Sequence, residues 1–262
     1  MIGAGNMGSA MLNGWIQAGI FAPDAVVVTD KDSDKAASLA KEFSVNYLDD
    51  NARAASGAKT VVLAVKPQDS VVVLEEISSV LSGDTAVLSI IAGLSIASMR
   101  ARLGQAPSIV RVMPNMGAQV GASVSGYAVE PGEGYFDAGL PRKLLESIGQ
   151  AVEVDESAID LVTAVSGSGP AYFFLLTEAL ETAAVQEGMS RDIASKLAKE
   201  TLWGAAKIIK DTGRDPAELR KAVSSPGGTT LAALGVFDEA GFTDLVSKAV
   251  EAARKRAGEL TQ

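Results

Sequence analysis

The chain has 262 residues, enough for one large domain or two modest ones with a sizeable core. A hydrophobic share of 47% excludes a disordered polymer. A net charge of −9 leaves no basic excess to displace counterions from a nucleic-acid backbone. With no cysteine and no histidine, disulfides, thiolate nucleophiles, Ser-His-Asp triads and His-ligated metals are all ruled out, and no Asp/Glu cluster has ligand spacing.

In chain order, Gly3-Ala4-Gly5-Asn6-Met7-Gly8 comes first and opens into a helix over roughly Ser9–Ala18. The spacing fits G-x-G-x-x-G. The first glycine permits a tight turn, the second lets a pyrophosphate approach the backbone, and the third lets the helix pack closely. Only Met1 and Ile2 precede this turn, although the fold calls for a full central strand there. Either that strand is stunted or the chain as given lacks a few N-terminal residues. Loss of ladder bonds to both neighbours favours the second. No basic leader precedes the first apolar stretch, so no signal peptide is expected.

Short β-branched runs follow at Ala25–Thr29, Thr60–Val65, Ala86–Ile90 and Ser108–Val112. They are apolar at nearly every position, as suits a parallel sheet covered on both faces. Helical stretches alternate with them at Lys35–Phe43, Ser70–Leu81 and Ile96–Leu103, predicting right-handed βαβ units and a doubly wound fold. Asp30 ends the second strand 22 residues after Gly8, close to the spacing of an acid that accepts from an adenosine ribose. A carboxylate there repels a 2′-phosphate, and Lys31 beside it softens that repulsion; a solvated strand end is the plainer alternative. Ala64-Val65-Lys66-Pro67, Ile91-Ala92-Gly93 and Arg111–Asn115 each end a strand at the carboxyl edge, where ligands of such sheets bind. Asn115 is placed to meet a carboxamide.

Residues 117–134 are Gly- and Ala-rich with weak alternation, and Ala151–Val154 reads as a last strand. The texture then changes to helices at Ile159–Val165, Pro170–Glu187, Ser190–Asp211, Pro216–Val223, Thr229–Glu239 and Phe242–Leu260. Gly188, Gly213 and Gly241 mark C-terminal ends, and Asp215-Pro216-Ala217-Glu218 forms a capping box. Ser166-Gly167-Ser168-Gly169-Pro170 is expected to break a helix and restart it. The apolar segment Pro170–Val185 carries Glu178 and Glu181 and is taken as too short to span a bilayer. Arg254-Lys255-Arg256 lies among Glu251 and Glu259 and reads as a solvated helix face. The boundary is expected near residue 155, giving domains at 1–155 and 156–262.

Ser224-Ser225-Pro226-Gly227-Gly228-Thr229-Thr230 combines a tight turn, exposed amides and a helix N-terminus, which favour a small anion such as a carboxylate. Two anion sites on one chain suggest a dinucleotide-dependent enzyme acting on a small acid.

Taken together, Gly3–Gly8, Ala64–Pro67, Arg111–Asn115, Ser166–Tyr172 and Ser224–Thr230 resemble pyrroline-5-carboxylate reductase in order over essentially the whole chain. The resemblance implies reduction of 1-pyrroline-5-carboxylate to L-proline with NADPH or NADH, the last step of proline biosynthesis. It also implies an N-terminal Rossmann-type domain, an all-helical dimerisation domain, a cytoplasmic homodimer or larger homo-oligomer, and no nucleic-acid or membrane partner. Thr230 would contact the ring nitrogen. Ser225, Gly227, Gly228 and Thr229 would hold the carboxylate, with Glu156 lining the site. Gly3, Gly5, Asn6, Met7, Gly8, Asp30, Ala64, Val65, Lys66, Pro67, Ala92, Gly93 and Asn115 would hold the cofactor. The chain departs from the family pattern at Met116-Gly117 and at Ala222, leaving those two cofactor contacts open. A 3-hydroxyacid-dehydrogenase-like enzyme, another imine reductase, and a non-enzymatic dinucleotide sensor remain as alternatives. The catalytic lysine of the hydroxyacid enzymes has no counterpart near Ser166–Leu176.

Overall fold

The structure is a computed structural model that describes residues 1–130 and 139–260. It opens with α1 (Asn6–Gln17), β1 (Val27–Val28), α2 (Ser33–Phe43), β2 (Asn46–Tyr47) and α3 (Asn51–Ala55). Next come β3 (Thr60–Leu63), α4 (Ser70–Ser78), β4 (Ala86–Ser89), α5 (Ile96–Leu103), β5 (Ser108–Met113) and β6 (Ser123–Val129). α6 (Leu140–Glu146), β7 (Gly149–Glu153) and α7 (Ile159–Val162) complete this part, followed by α8 (Gly169–Gln186), α9 (Arg191–Thr212), α10 (Pro216–Ala222), α11 (Thr229–Glu239) and α12 (Phe242–Leu260). The chain divides into two compact units, one of Met1–Ser168 with the end of α12 from Ala252, the other of Gly169–Glu251.

In the first unit the main sheet runs β3-β4-β5-β6-β7, parallel except where β6 runs antiparallel to β5. β1 and β2 form a separate parallel pair. Ile2 bridges the two sets, pairing in parallel with both Thr29 and Leu63. Met1 N donates to Val27 O at 2.7 Å beside this bridge.

Strand residues alternate between two cores, as the period of two requires. Val62, Leu88, Val110 and Val112 face Met11, Leu12, Trp15, Leu144 and Leu145 of α1 and α6. Val61, Leu63, Val87 and Ile109 face Leu74, Ile77, Met99 and Leu103 of α4 and α5. Both faces are covered, which is why the strands are apolar throughout. This is the expected Rossmann-type, doubly wound arrangement.

Two sequence expectations need correction, and a third gains detail. The stretch 117–134, read as lacking a clear strand, contains β6; residues 131–134 lie outside the described residues. The Ser166–Pro170 segment interrupts the helix and restarts it, as expected: a π turn over Thr163–Gly167, with Ser168 N donating to Thr163 O at 2.8 Å, ends in a bend at Ser168, and α8 starts at Gly169. Pro170 has no N–H to offer the carbonyl four residues back, Ser166 O, and Asn115 Nδ2 donates to that oxygen instead at 3.3 Å. Pro170–Val185 is therefore not the whole apolar stretch: Glu156–Gln186 together is, by length and composition alone, long and apolar enough to cross a membrane.

The second unit is all-helical. Its stops are as expected: Gly213 closes α9 at φ 61°, and Asp215 caps α10 by accepting from Ala217 N and Glu218 N. Only Gly169, Ala194 and Ala198 are buried there among the described residues. Leu175 is 66% exposed, Trp203 64% and Leu245 62%, and Phe173 and Phe174 are likewise open. Helices with apolar side chains exposed on several faces need cover from another molecule.

Candidate active site

The glycine turn is shaped by steric need at each position. Gly3 sits at φ +109°, and a Cβ there would lie 2.5 Å from Ala64 O. A Cβ on Gly8 would lie 2.5 Å from Gly3 O, so this glycine lets α1 press against the turn. Above Gly5 there is nothing within 4 Å of the Cβ position. Gly5 is the N-cap of α1, with no side chain capping its amides and no acidic residue in the first turn. An open position over uncapped helix amides is what a pyrophosphate requires, so the cradle fits a dinucleotide.

Asp30 is held firmly. Its Oδ2 accepts from Ala4 N at 2.7 Å and its Oδ1 from Asp32 N at 3.0 Å. Each oxygen keeps a second lone pair, so the anchored carboxylate can still accept from ribose hydroxyls. Gly5, Asp30, Ala64, Val65 and Lys66 line one cleft of about 360 Å³ at the carboxyl edge of the sheet. Gly3 and Gly8 shape the turn behind it. Met7 is half-buried in the first turn of α1, and Pro67 begins a short 3-10 turn beside the cleft. Asn6 lines a different, open groove along α1.

The cleft also includes Asn51 and Asp69, which the sequence reading did not single out. Asn51 Oδ1 accepts from Thr29 Oγ1 at 2.6 Å, and its Nδ2 donates to Glu76 Oε2 at 2.7 Å. Neither residue belongs to a motif; only the fold brings them to Asp30.

Ala92 and Gly93 lie in the turn after β4 and are not among the residues that line this cleft. Gly93 is at φ +74°, and a Cβ there would lie 2.3 Å from Leu260 O, so its smallness makes room for the end of α12. Asn115 is occupied at both ends: Oδ1 accepts from Gly117 N at 3.0 Å, and Nδ2 donates to Ser166 O. The amide the sequence offers to a carboxamide thus clips the π turn to the strand end. Glu156 lies in the first unit, where Oε1 accepts from Ile96 N at 2.7 Å at the start of α5 and faces Arg111 at 3.4 Å. Arg111, nearly buried, also pairs with Asp160 at 3.1 Å.

In the second unit, Gly228 N donates to Ser225 O at 2.9 Å, closing a turn with Pro226 second and Gly227 third at φ +71°. That order is the signature of a type II turn. The amide of Gly228, expected to hold a carboxylate, is therefore occupied by the turn itself. Its missing side chain clears space for Ser225 Oγ, 2.6 Å from where a Cβ would stand. The amides of Gly227, Thr229 and Thr230 have no backbone partner among the described residues, and α11 has no side-chain cap. Ser225 and Thr229 are exposed and Thr230 half-exposed. Amides without backbone partners among the described residues, hydroxyls and the positive end of an 11-residue helix are features that suit a small anion. Among the described residues no group of acidic side chains could hold a metal.

The comparisons with known proteins agree with this arrangement. Residues 156–260 match the family described as pyrroline-5-carboxylate reductase dimerisation, and residues 1–93 the family described as NADP oxidoreductase coenzyme F420-dependent. Pyrroline-5-carboxylate reductase of Pseudomonas aeruginosa is 40% identical, with 100% of this chain and 96% of that protein aligned. A solved pyrroline-5-carboxylate reductase from Coxiella burnetii superimposes with a TM-score of 0.92 at 35% identity, covering 100% and 97% of the two chains. The Plasmodium falciparum pyrroline carboxylate reductase, solved with NADP bound, gives 0.87 at 30% identity, also covering 100% and 97%. On both sequence and structure, this chain belongs to the pyrroline-5-carboxylate reductase family.

Proposed function

We infer that this protein reduces 1-pyrroline-5-carboxylate to L-proline with NADPH or NADH, completing proline biosynthesis. The observation that carries the reading, in a chain aligned with 96% of a pyrroline-5-carboxylate reductase, is the Ser225–Thr230 turn at the head of α11, whose Gly227, Thr229 and Thr230 amides have no backbone partner among the described residues. A cyclic imine is basic enough to bind as an iminium ion, so adding hydride to its carbon gives a neutral amine directly. No strong general acid is needed, which suits a chain without histidine. The reduced nicotinamide supplies the hydride when bound.

The chain's own residues bind and orient. Ser225 and the amides of Gly227 and Thr229 hold the carboxylate, and Gly228 keeps the turn closed. The Thr230 hydroxyl meets the ring nitrogen, and Glu156 lines the site through Oε2, which accepts no hydrogen bond among the described residues. Gly5 and the first turn of α1 receive the pyrophosphate, while Ala64–Pro67, Ala92, Gly93 and Asn115 border the rest of the cofactor. Near-attack positioning supplies most of the rate. A functional boundary at 155/156 is supported by the dimerisation family match over residues 156–260. Oxidation of NADPH or NADH on adding pyrroline-5-carboxylate, and not on adding 3-hydroxy acids, tests the reading. Cofactor binding without turnover would favour a sensor instead.

Asp30 is expected to disfavour NADPH, because a fixed carboxylate repels a 2′-phosphate. Asp30→Ser should raise the NADPH/NADH ratio of kcat/KM, and an unchanged ratio would show that Asp30 does not face the ribose.

The protein is a homo-oligomer, and its minimal form is a homodimer built through the second unit. Phe173, Leu176, Leu180 and Ala184 lie along one stripe of α8 with Phe174 and Leu175 on other faces, and the large side chains are all exposed in the single chain. A partner's helices cover them, which also assigns this apolar run to an interface rather than a bilayer. Light scattering should find no active monomer at micromolar concentration; a folded, active monomer would refute the dimer. The working site is cytoplasmic, with no nucleic-acid partner for a chain of net charge −9.

A further inference from the structure

We propose that Asp69 is a specificity-determining residue that holds Lys31 away from the ribose 2′ position and so biases the cleft toward NADH. The proposal rests on the reading of this cleft as the dinucleotide site. Lys31 follows Asp30 directly and is the cation placed to offset its charge. Its ammonium instead spans the cleft to Asp69, bound to both carboxylate oxygens at 2.8 and 3.0 Å. Asp69 is the N-cap of α4, where an aspartate ordinarily accepts from its own helix. It makes no such bond, and its side chain is turned to Lys31. The hydrogen bond that Lys31 donates to Asp69 also raises the pKa of the ammonium.

The charges lining the cleft point the same way. Asp30, Asp32, Asp69 and Glu76 stand against Lys31, Lys35 and Lys66, an excess of one negative charge. A 2′-phosphate brings further negative charge into this cleft, within the roughly 8–10 Å over which charges act in physiological salt. A ribose hydroxyl brings none. Removing Asp69 cancels the excess, leaving three charges of each sign, and releases Lys31 toward the position beside Asp30.

Isothermal titration of NADPH and NADH into wild type, Asp69→Asn, Lys31→Ala and the double variant tests this without any turnover, with Asp69→Ser as a second relief of the pair. The expected result is a gain of about three- to tenfold in NADPH affinity relative to NADH for Asp69→Asn, since an exposed pair competes only modestly. In the double variant that gain should vanish, because Lys31 is its source. If both nucleotides bind and the ratio stays within twofold in both Asp69 variants, or if the gain persists without Lys31, the proposal is overturned while the cleft reading stands. If wild type binds neither nucleotide, the cleft reading falls and the proposal with it.

Discussion

Thr230→Val is expected to lower kcat/KM for pyrroline-5-carboxylate by about ten- to a hundredfold, the equivalent of losing one hydrogen bond to a charged group. Valine keeps the β-branching and volume of threonine, so the first turn of α11 should be undisturbed. Dinucleotide affinity should be unchanged, because the glycine cradle belongs to the other compact unit. Ser225→Ala should act mainly through KM, since a carboxylate contact is present in ground and transition states alike. Steady-state kinetics on the two variants, with dinucleotide titration alongside, separates these effects. Full kcat/KM in Thr230→Val would return the 224–230 turn to a structural role.

The second large effect concerns the two glycines that open α1. Gly5→Leu should fold normally, because nothing lies within 4 Å of its Cβ position, yet lose at least about tenfold in dinucleotide affinity by filling the place of the pyrophosphate. Gly8→Ala should do the reverse of a clean binding mutant. Its Cβ would meet Gly3 O at 2.5 Å, so α1 must move off the sheet, at a stability cost of about 1–3 kcal/mol. Thermal melts and titration calorimetry distinguish the two outcomes. Gly5→Leu with wild-type affinity would remove the turn from the cofactor site.

How far these features were legible in the sequence depended on whether their causes were local. The strands of the main parallel run were legible because burial on both faces leaves only apolar side chains in them. β6 was hidden because its inward positions are Ser123 and Ser125, which are buried, while Val124 faces out, inverting the usual pattern. Those serines are satisfied through tertiary contacts: Ser123 Oγ accepts from Asn115 N at 3.2 Å and lies 3.3 Å from Ser125 Oγ. The Gly- and Pro-rich Ser166–Pro170 segment signalled its helix break by composition, whereas the bond from Asn115, 51 residues earlier, to Ser166 O is a tertiary contact that composition does not carry.

The candidate site divides in the same way. The glycine spacing and the Ser-Ser-Pro-Gly-Gly-Thr-Thr run announce themselves, since each is a continuous backbone device. That the Gly228 amide closes its own turn is settled by geometry that sequence does not carry. That Gly93 also makes room for Leu260, far along the chain, is another tertiary fact that the local sequence does not carry. Asn51 and Asp69 reach the cleft only because α3 and the turn after β3 are packed beside Asp30.

The most direct test of the central claim is to follow a labelled hydride. Incubating the protein with pyrroline-5-carboxylate and cofactor deuterated at the transferring position of nicotinamide C4 should yield proline with one deuterium on its ring Cδ, one per cofactor oxidised. Mass spectrometry and NMR of the product read this out. Cofactor oxidation without labelled proline, or no oxidation by a protein that still binds the dinucleotide, would contradict the assignment.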